Sequence, residues 1–108
     1  MLTIYKYDIP SKDYFQLDLP AGAELLTIQT QRENPRLWVL LDPEALVETR
    51  YFRLVGTGHP INEPGEDLDY IGTCQVLQGS LIFHLFEIVK LRLPEFQILQ
   101  LEGEKSED

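Results

Sequence analysis

Residues 48–61 bring two arginines, Arg50 and Arg53, onto a run of Gly56-Thr-Gly-His-Pro60. Successive backbone N–H groups in such a turn can form a nest that holds an anion, with the Thr57 hydroxyl and one arginine adding donors and charge. The ligand-binding set under that reading is Arg50, Arg53, Gly56, Thr57, Gly58 and His59. The plainer reading is a tight turn whose glycines supply positive φ and whose proline stiffens the exit. No Lys-Ser or Lys-Thr pair follows the glycines, so the run is not a phosphate loop of the nucleotide-binding kind.

Other chemistry has less to work with. His59 and His84 are the two histidines, and Cys74 is the one cysteine. A zinc site needs three or four ligands, and nothing here has zinc-motif spacing. On a strand His84 and Glu87 point to opposite faces and cannot chelate together. Cys74 with a histidine, or Ser80 with His84, would make a nucleophile pair, but neither carries a signature. The expectation is therefore no catalytic residue, no metal, no cofactor and no enzymatic activity. Cys74 cannot pair within the chain, which excludes a disulfide scaffold and fits an inert buried thiol in a reducing compartment.

Charge narrows the partners. The net charge is −9, and residues 63–69 carry −4 of it through Glu63, Glu66, Asp67 and Asp69, while residues 102–108 carry −3. The rest of the chain is close to neutral. Phosphate-backbone binding relies on clustered Lys and Arg, so direct nucleic-acid binding is not expected. An acidic protein suits a basic partner surface, or simply solubility. The amino-terminal residues lack the charged start and apolar run of a signal peptide. The apolar window 81–101 is interrupted by charges and Pro94, which excludes a membrane helix. An intracellular protein without membrane contact is expected.

The elements that would position these residues are strands. Alternating polar and apolar residues at 2–9, 14–19 and 24–30 have the period of half-buried strands. Residues 31–35 contain Asn34-Pro35 and make a hairpin-like connection. Residues 37–41, Leu-Trp-Val-Leu-Leu, form a continuous apolar run, as in a central strand buried on both faces. Residues 42–46 suit either one helical turn opened by Asp42 and Pro43 or a plain crossing turn. Strand five spans 47–55, with Arg50 beside Phe52 and Leu54 on one face and Arg53 beside Tyr51 and Val55 on the other. Residues 61–69 read as a surface loop, because so many carboxylates cannot be buried unpaired. Strands at 70–77 and 80–89 meet at Gln78-Gly79 in a tight hairpin, and the second, apolar on both faces, is central. Pro94 makes 90–101 an edge strand or a broken one.

Seven or eight short strands with turns about every ten residues predict an all-β fold, a small antiparallel sandwich or barrel with at most one short helical turn. A single β domain over residues 1–101 and an acidic disordered tail over 102–108 are expected. If Phe96, Ile98 and Leu99 project from an uncovered edge, that edge invites a homodimer. Tyr5, Tyr7, Tyr14, Tyr51 and Tyr70 offer interface surface or ordinary cross-strand pairing.

Several runs occur together: Ile4-Tyr-Lys-Tyr7, Leu19-Pro-Ala-Gly-Ala23, Leu37-Trp38, Leu41-Asp-Pro43, Glu48-Thr-Arg50, Val55-Gly-Thr-Gly-His-Pro60, Tyr70-Ile-Gly-Thr73 and Phe83-His-Leu-Phe-Glu87. They resemble a family of small uncharacterised proteins of tailed bacteriophages and prophages, over residues 1–88. The resemblance implies a setting, the cytoplasm of an infected bacterium, and no catalytic or binding residues. Residues from Lys90 onward look like an extension beyond that family's usual end. The function expected is a non-enzymatic phage accessory protein that binds and inhibits a host component, of defence or of nucleic-acid processing. The alternative is a binder of a nucleotide-like anion at the glycine turn.

Overall fold

The computed structural model of the 108-residue chain describes residues 1–91. Seven strands appear in them: β1 (Thr3–Asp8), β2 (Tyr14–Pro20), β3 (Glu24–Gln31), β4 (Asn34–Leu41), β5 (Val47–Gly56), β6 (Leu68–Val76) and β7 (Leu81–Ile88). They build two antiparallel sheets, one ordered β1-β4-β3 and the other β2-β5-β7-β6. The expected sandwich is therefore what forms. Single 3-10 turns at Gly65–Asp67 and Leu77–Gly79 are the helical elements among the described residues.

Alternation decides what lies between the sheets. Leu37, Val39 and Leu41 of β4 face inward with Ile28 of β3, against Leu19, Phe52, Leu54 and Leu85 of the other sheet. Phe15 stacks on Phe52 with ring centroids 5.1 Å apart. Strands β5 and β7 are the central pair of the four-stranded sheet.

At one side the sheets nearly touch. Thr30 Oγ1 donates to Gln75 O at 2.5 Å, joining β3 to β6. Gly72 makes the approach possible, since a Cβ there would lie 2.5 Å from Ile28 Cγ2. Gly72→Ala should therefore cost about 1–3 kcal/mol by overpacking, read as a lower melting temperature. An unchanged melting temperature would mean that the sheets do not meet there.

Two expectations need correction, and one open alternative is decided. Strand β4 is central but buried on one face only: Trp38 and Leu40 are half-exposed, because among the described residues no layer covers the outer side of the three-stranded sheet. Of the two readings open for residues 42–46, the crossing turn is the one that forms, in which the Asp42 carboxylate accepts from Glu44 N at 3.0 Å and its carbonyl from Ala45 N at 3.1 Å. The acidic loop is not wholly on the surface. Asp67 is only 2% exposed, and its carbonyl accepts from Val89 N at 2.8 Å.

The two hairpin turns form where expected, with non-glycine residues in left-handed backbone. Arg32 and Glu33 have φ of 51° and 67°, and Leu77 has φ of 51°. A leucine rarely adopts that region; here the Glu33 carboxylate accepts from Leu77 N at 2.5 Å and holds the turn. The edge strand and dimer contact expected around Phe96, Ile98 and Leu99, and the tail at 102–108, lie outside the described residues.

Candidate functional site

Strand β5 delivers the two arginines to opposite faces of its sheet. Arg50 points inward to the end of the sandwich, where Nε and Nη2 grip both oxygens of Glu87 on β7 at 2.6 and 2.7 Å. Its Nη1 donates to Ala23 O at 2.5 Å, at the crossing from β2 to β3. The side chains are 18% and 14% exposed. A two-pronged pair of this kind fixes geometry as well as charge. It ties two strands of one sheet to the chain entering the other, and the hydrogen bond to Glu87 holds the guanidinium above its ordinary pKa.

Arg53 points outward and is nevertheless buried, at 6% exposure. The loop after β5 folds back over it. Its Nη1 donates to Leu54 O at 2.7 Å, Nη2 to Pro60 O at 3.2 Å and Nε to Glu63 at 3.3 Å. The guanidinium also lies 4.8 Å over the Tyr14 ring, a cation–π contact. The Tyr14 hydroxyl donates to the second oxygen of Glu63. Burial by itself raises the Glu63 carboxyl, but the Tyr14 hydrogen bond, a backbone hydrogen bond and the Arg53 charge outweigh it and hold the group below its usual range.

The glycine turn lies beyond this clasp. Thr57 N donates to Ile82 O at 3.4 Å and His59 N to Gly56 O at 3.1 Å, so these two N–H groups complete the ladder and the turn instead of converging outward. Gly58 has φ of 86°, the conformation that requires glycine. The His59 ring packs back on Gly56, with Nδ1 3.3 Å from where a Cβ would stand. Of the six residues proposed from sequence, the structure gathers Gly56, Thr57, Gly58 and His59 in one turn. Arg53 lies beneath the following loop, and Arg50 on the other face of the sheet.

A row of polar side chains that sequence reasoning missed crosses two strands and the glycine turn on the outer face. His84 of β7 stands between two hydroxyls, Thr57 Oγ1 at 2.7 Å from Nε2 and Thr73 Oγ1 at 2.9 Å from Nδ1. Tyr70 OH lies 2.5 Å from Thr73 Oγ1. A neutral imidazole donates from one nitrogen and accepts at the other, and hydroxyls adapt to either. The row pins β6 and the turn to β7. Alternation places His84 on this face, but its partners follow from the pairing of Thr73 with His84, which one sequence does not reveal.

Cys74 is 4% exposed, inside the sandwich and on the opposite face from His84, and burial pushes its thiol pKa up. That environment suits an inert thiol. Ser80 Oγ donates to Leu77 O at 2.7 Å and serves its turn. Among the described residues no three of His, Cys, Asp and Glu gather as a metal-holding group. No helix among them is long and apolar enough to cross a membrane.

An exposed apolar surface lies elsewhere. On the outer face of the three-stranded sheet, Ile4, Leu40 and Glu24 align across the strands, and Lys6, Trp38 and Thr27 form the next row. Ile4 is 55% exposed and Leu26, at the bulge in β3, 41%.

These features define a small two-layer antiparallel β-sandwich whose arginines tie its own elements together. The chain belongs to a family known as a domain of unknown function (DUF7352), whose model matches residues 1–100. The match carries past Lys90, so the segment that looked like an extension is part of the family's domain. No curated protein and no solved structure matches the chain.

Proposed function

We propose that this is a non-enzymatic interaction protein of phage origin that binds and inhibits a host protein in the infected bacterium's cytoplasm, a component of defence or of nucleic-acid processing. The carrying observation is the outer face of the β1-β4-β3 sheet, which no layer covers among the described residues, with Ile4 and Leu26 exposed and Trp38 and Leu40 half-exposed beside them. Contiguous exposed apolar surface rimmed by charge marks interaction sites. Glu24 stands in the same row as Leu40 and Ile4, and Asp42 and Glu44 follow the end of β4. The complementary partner is a protein with an apolar strip bordered by Lys and Arg, drawn to a chain of net charge −9.

The test begins with capture from a bacterial lysate and is decided with the purified partner. Binding should weaken as salt rises, and Trp38→Ala should lower affinity by about 2 kcal/mol, or roughly thirtyfold, as a central aromatic contact does. Equal affinity for wild type, Trp38→Ala and Ile4→Glu would remove this face from the interaction.

The alternative, a nucleotide-like anion at the glycine turn, would draw on Thr57, Gly58 and His59, which are exposed there. A thermal-shift screen with nucleotides separates the two readings, because a ligand selective for the folded state raises its melting temperature.

A further inference from the structure

Strand β2 ends its sheet, and among the described residues no strand pairs with its outer edge. Strand β1 likewise ends the other sheet, so the side of the sandwich away from the close β3–β6 approach has two bare edges. Tyr5, on the inward side of β1, is still 46% exposed there. Along β2 runs a groove of about 490 Å³ lined by Tyr14, Phe15, Tyr51, Phe52 and Ile88, and by Leu91, the last described residue. A bare edge beside an aromatic groove invites another segment to pair with it.

The chain supplies a segment of the right chemistry. From Arg92 it reads Arg-Leu-Pro-Glu-Phe-Gln-Ile-Leu-Gln-Leu, with Phe96 and Ile98 in alternation, and the family match includes it through residue 100. We propose that residues 92–101 dock in this groove along the free edge of β2 of their own chain, with Phe96 and Ile98 covering Tyr14 and Tyr51, which share the outer face of the sheet. Reach is sufficient, since ten extended residues span up to about 33 Å, more than the seven residues of β2 require. Pro94 has no N–H to donate and is tolerated on an outermost strand. Because Leu91 already touches the groove, docking is intramolecular, and tethering gives the segment an effective concentration of order millimolar. That favours the chain's own segment over a second copy's.

Nuclear Overhauser measurements on the full chain test this. Contacts from the Tyr14 and Tyr51 rings to Phe96 and Ile98 are expected, and they should be missing from an isotope-filtered spectrum of mixed labelled and unlabelled protein. In the full-length Phe96→Ser, Ile98→Ser variant, outward-facing β2 amides should exchange at least tenfold faster. Contacts that appear between labelled and unlabelled chains would assign the groove to a second copy and overturn the proposal. No contact in either sample, or unchanged β2 exchange in the variant, would overturn it too.

Discussion

Glu87→Ala should destabilise the protein by about 3 kcal/mol, the low end for removing one partner of a largely buried ion pair. The substitution leaves the Arg50 guanidinium 18% exposed in the wild-type geometry, with two of its donors facing nothing in place of the carboxylate. For a domain of this size the loss corresponds to a drop of roughly 15 °C in melting temperature. The double variant Arg50→Met, Glu87→Met should recover much of it, because replacing a whole buried pair by apolar side chains is often close to neutral. A chemical-denaturation cycle over the four proteins measures the coupling. Additive single effects would mean that the pair does not form.

Arg53→Met should cost about 3 kcal/mol as well, by stranding buried acceptors, and its effect should be local in a way that Glu87→Ala is not. Arg53 serves Leu54 O, Pro60 O and Glu63 together, so the loop between β5 and β6 loses its anchor. Amides of residues 57–67 should then exchange well before the strands do. The same clasp predicts an acid limb. Glu63 has a lowered folded pKa, so its contribution is complete above the ordinary glutamate value, roughly 4.3, and is lost as pH falls through the folded value. Tyr14 is raised, first by its hydrogen bond to Glu63 and then by burial. Its contribution is complete below the ordinary phenol value of 10.0 and is lost as pH rises through the raised one. Stability of the wild type should therefore fall more steeply with acid than that of Arg53→Met; parallel curves would separate Glu63 from the clasp.

Much of the fold is legible in residue alternation. Phe15, Leu17 and Leu19 against Gln16 and Asp18 define β2, and the polar run 31–35 and Gln78-Gly79 place two hairpins, although the first turn is made by Arg32 and Glu33 while Asn34 and Pro35 already pair in β4. Alternation also put Arg50 and Arg53 on opposite faces. What it does not carry is which strand lies beside which. The partner of Arg50 is Glu87, far along the chain, and the partner of Arg53 is one carboxylate of a loop that reads as uniformly exposed. Burial of Asp67 in that loop has no local signal, because it depends on where Val89 passes. The apolar run 37–41 was misleading for a related reason: apolar residues outnumber the faces that the described sheets cover, and Trp38 and Leu40 are the surplus.

The order in which strands pair has a kinetic consequence. Strands β1 and β2, adjacent in sequence, lie in different sheets, and each waits for a distant partner: Thr3 for Leu41 and Tyr14 for Arg53. Among the described strands, only the β3–β4 and β6–β7 hairpins can close locally. Loop-closure entropy must be overcome before the remaining pairings contribute, which slows folding. A chain emerging from the ribosome therefore holds β1 unpaired until β4 is out and β2 unpaired until β5 is. Those same two strands end the sheets among the described residues, so the edges last to find a partner in time are also the outermost in space.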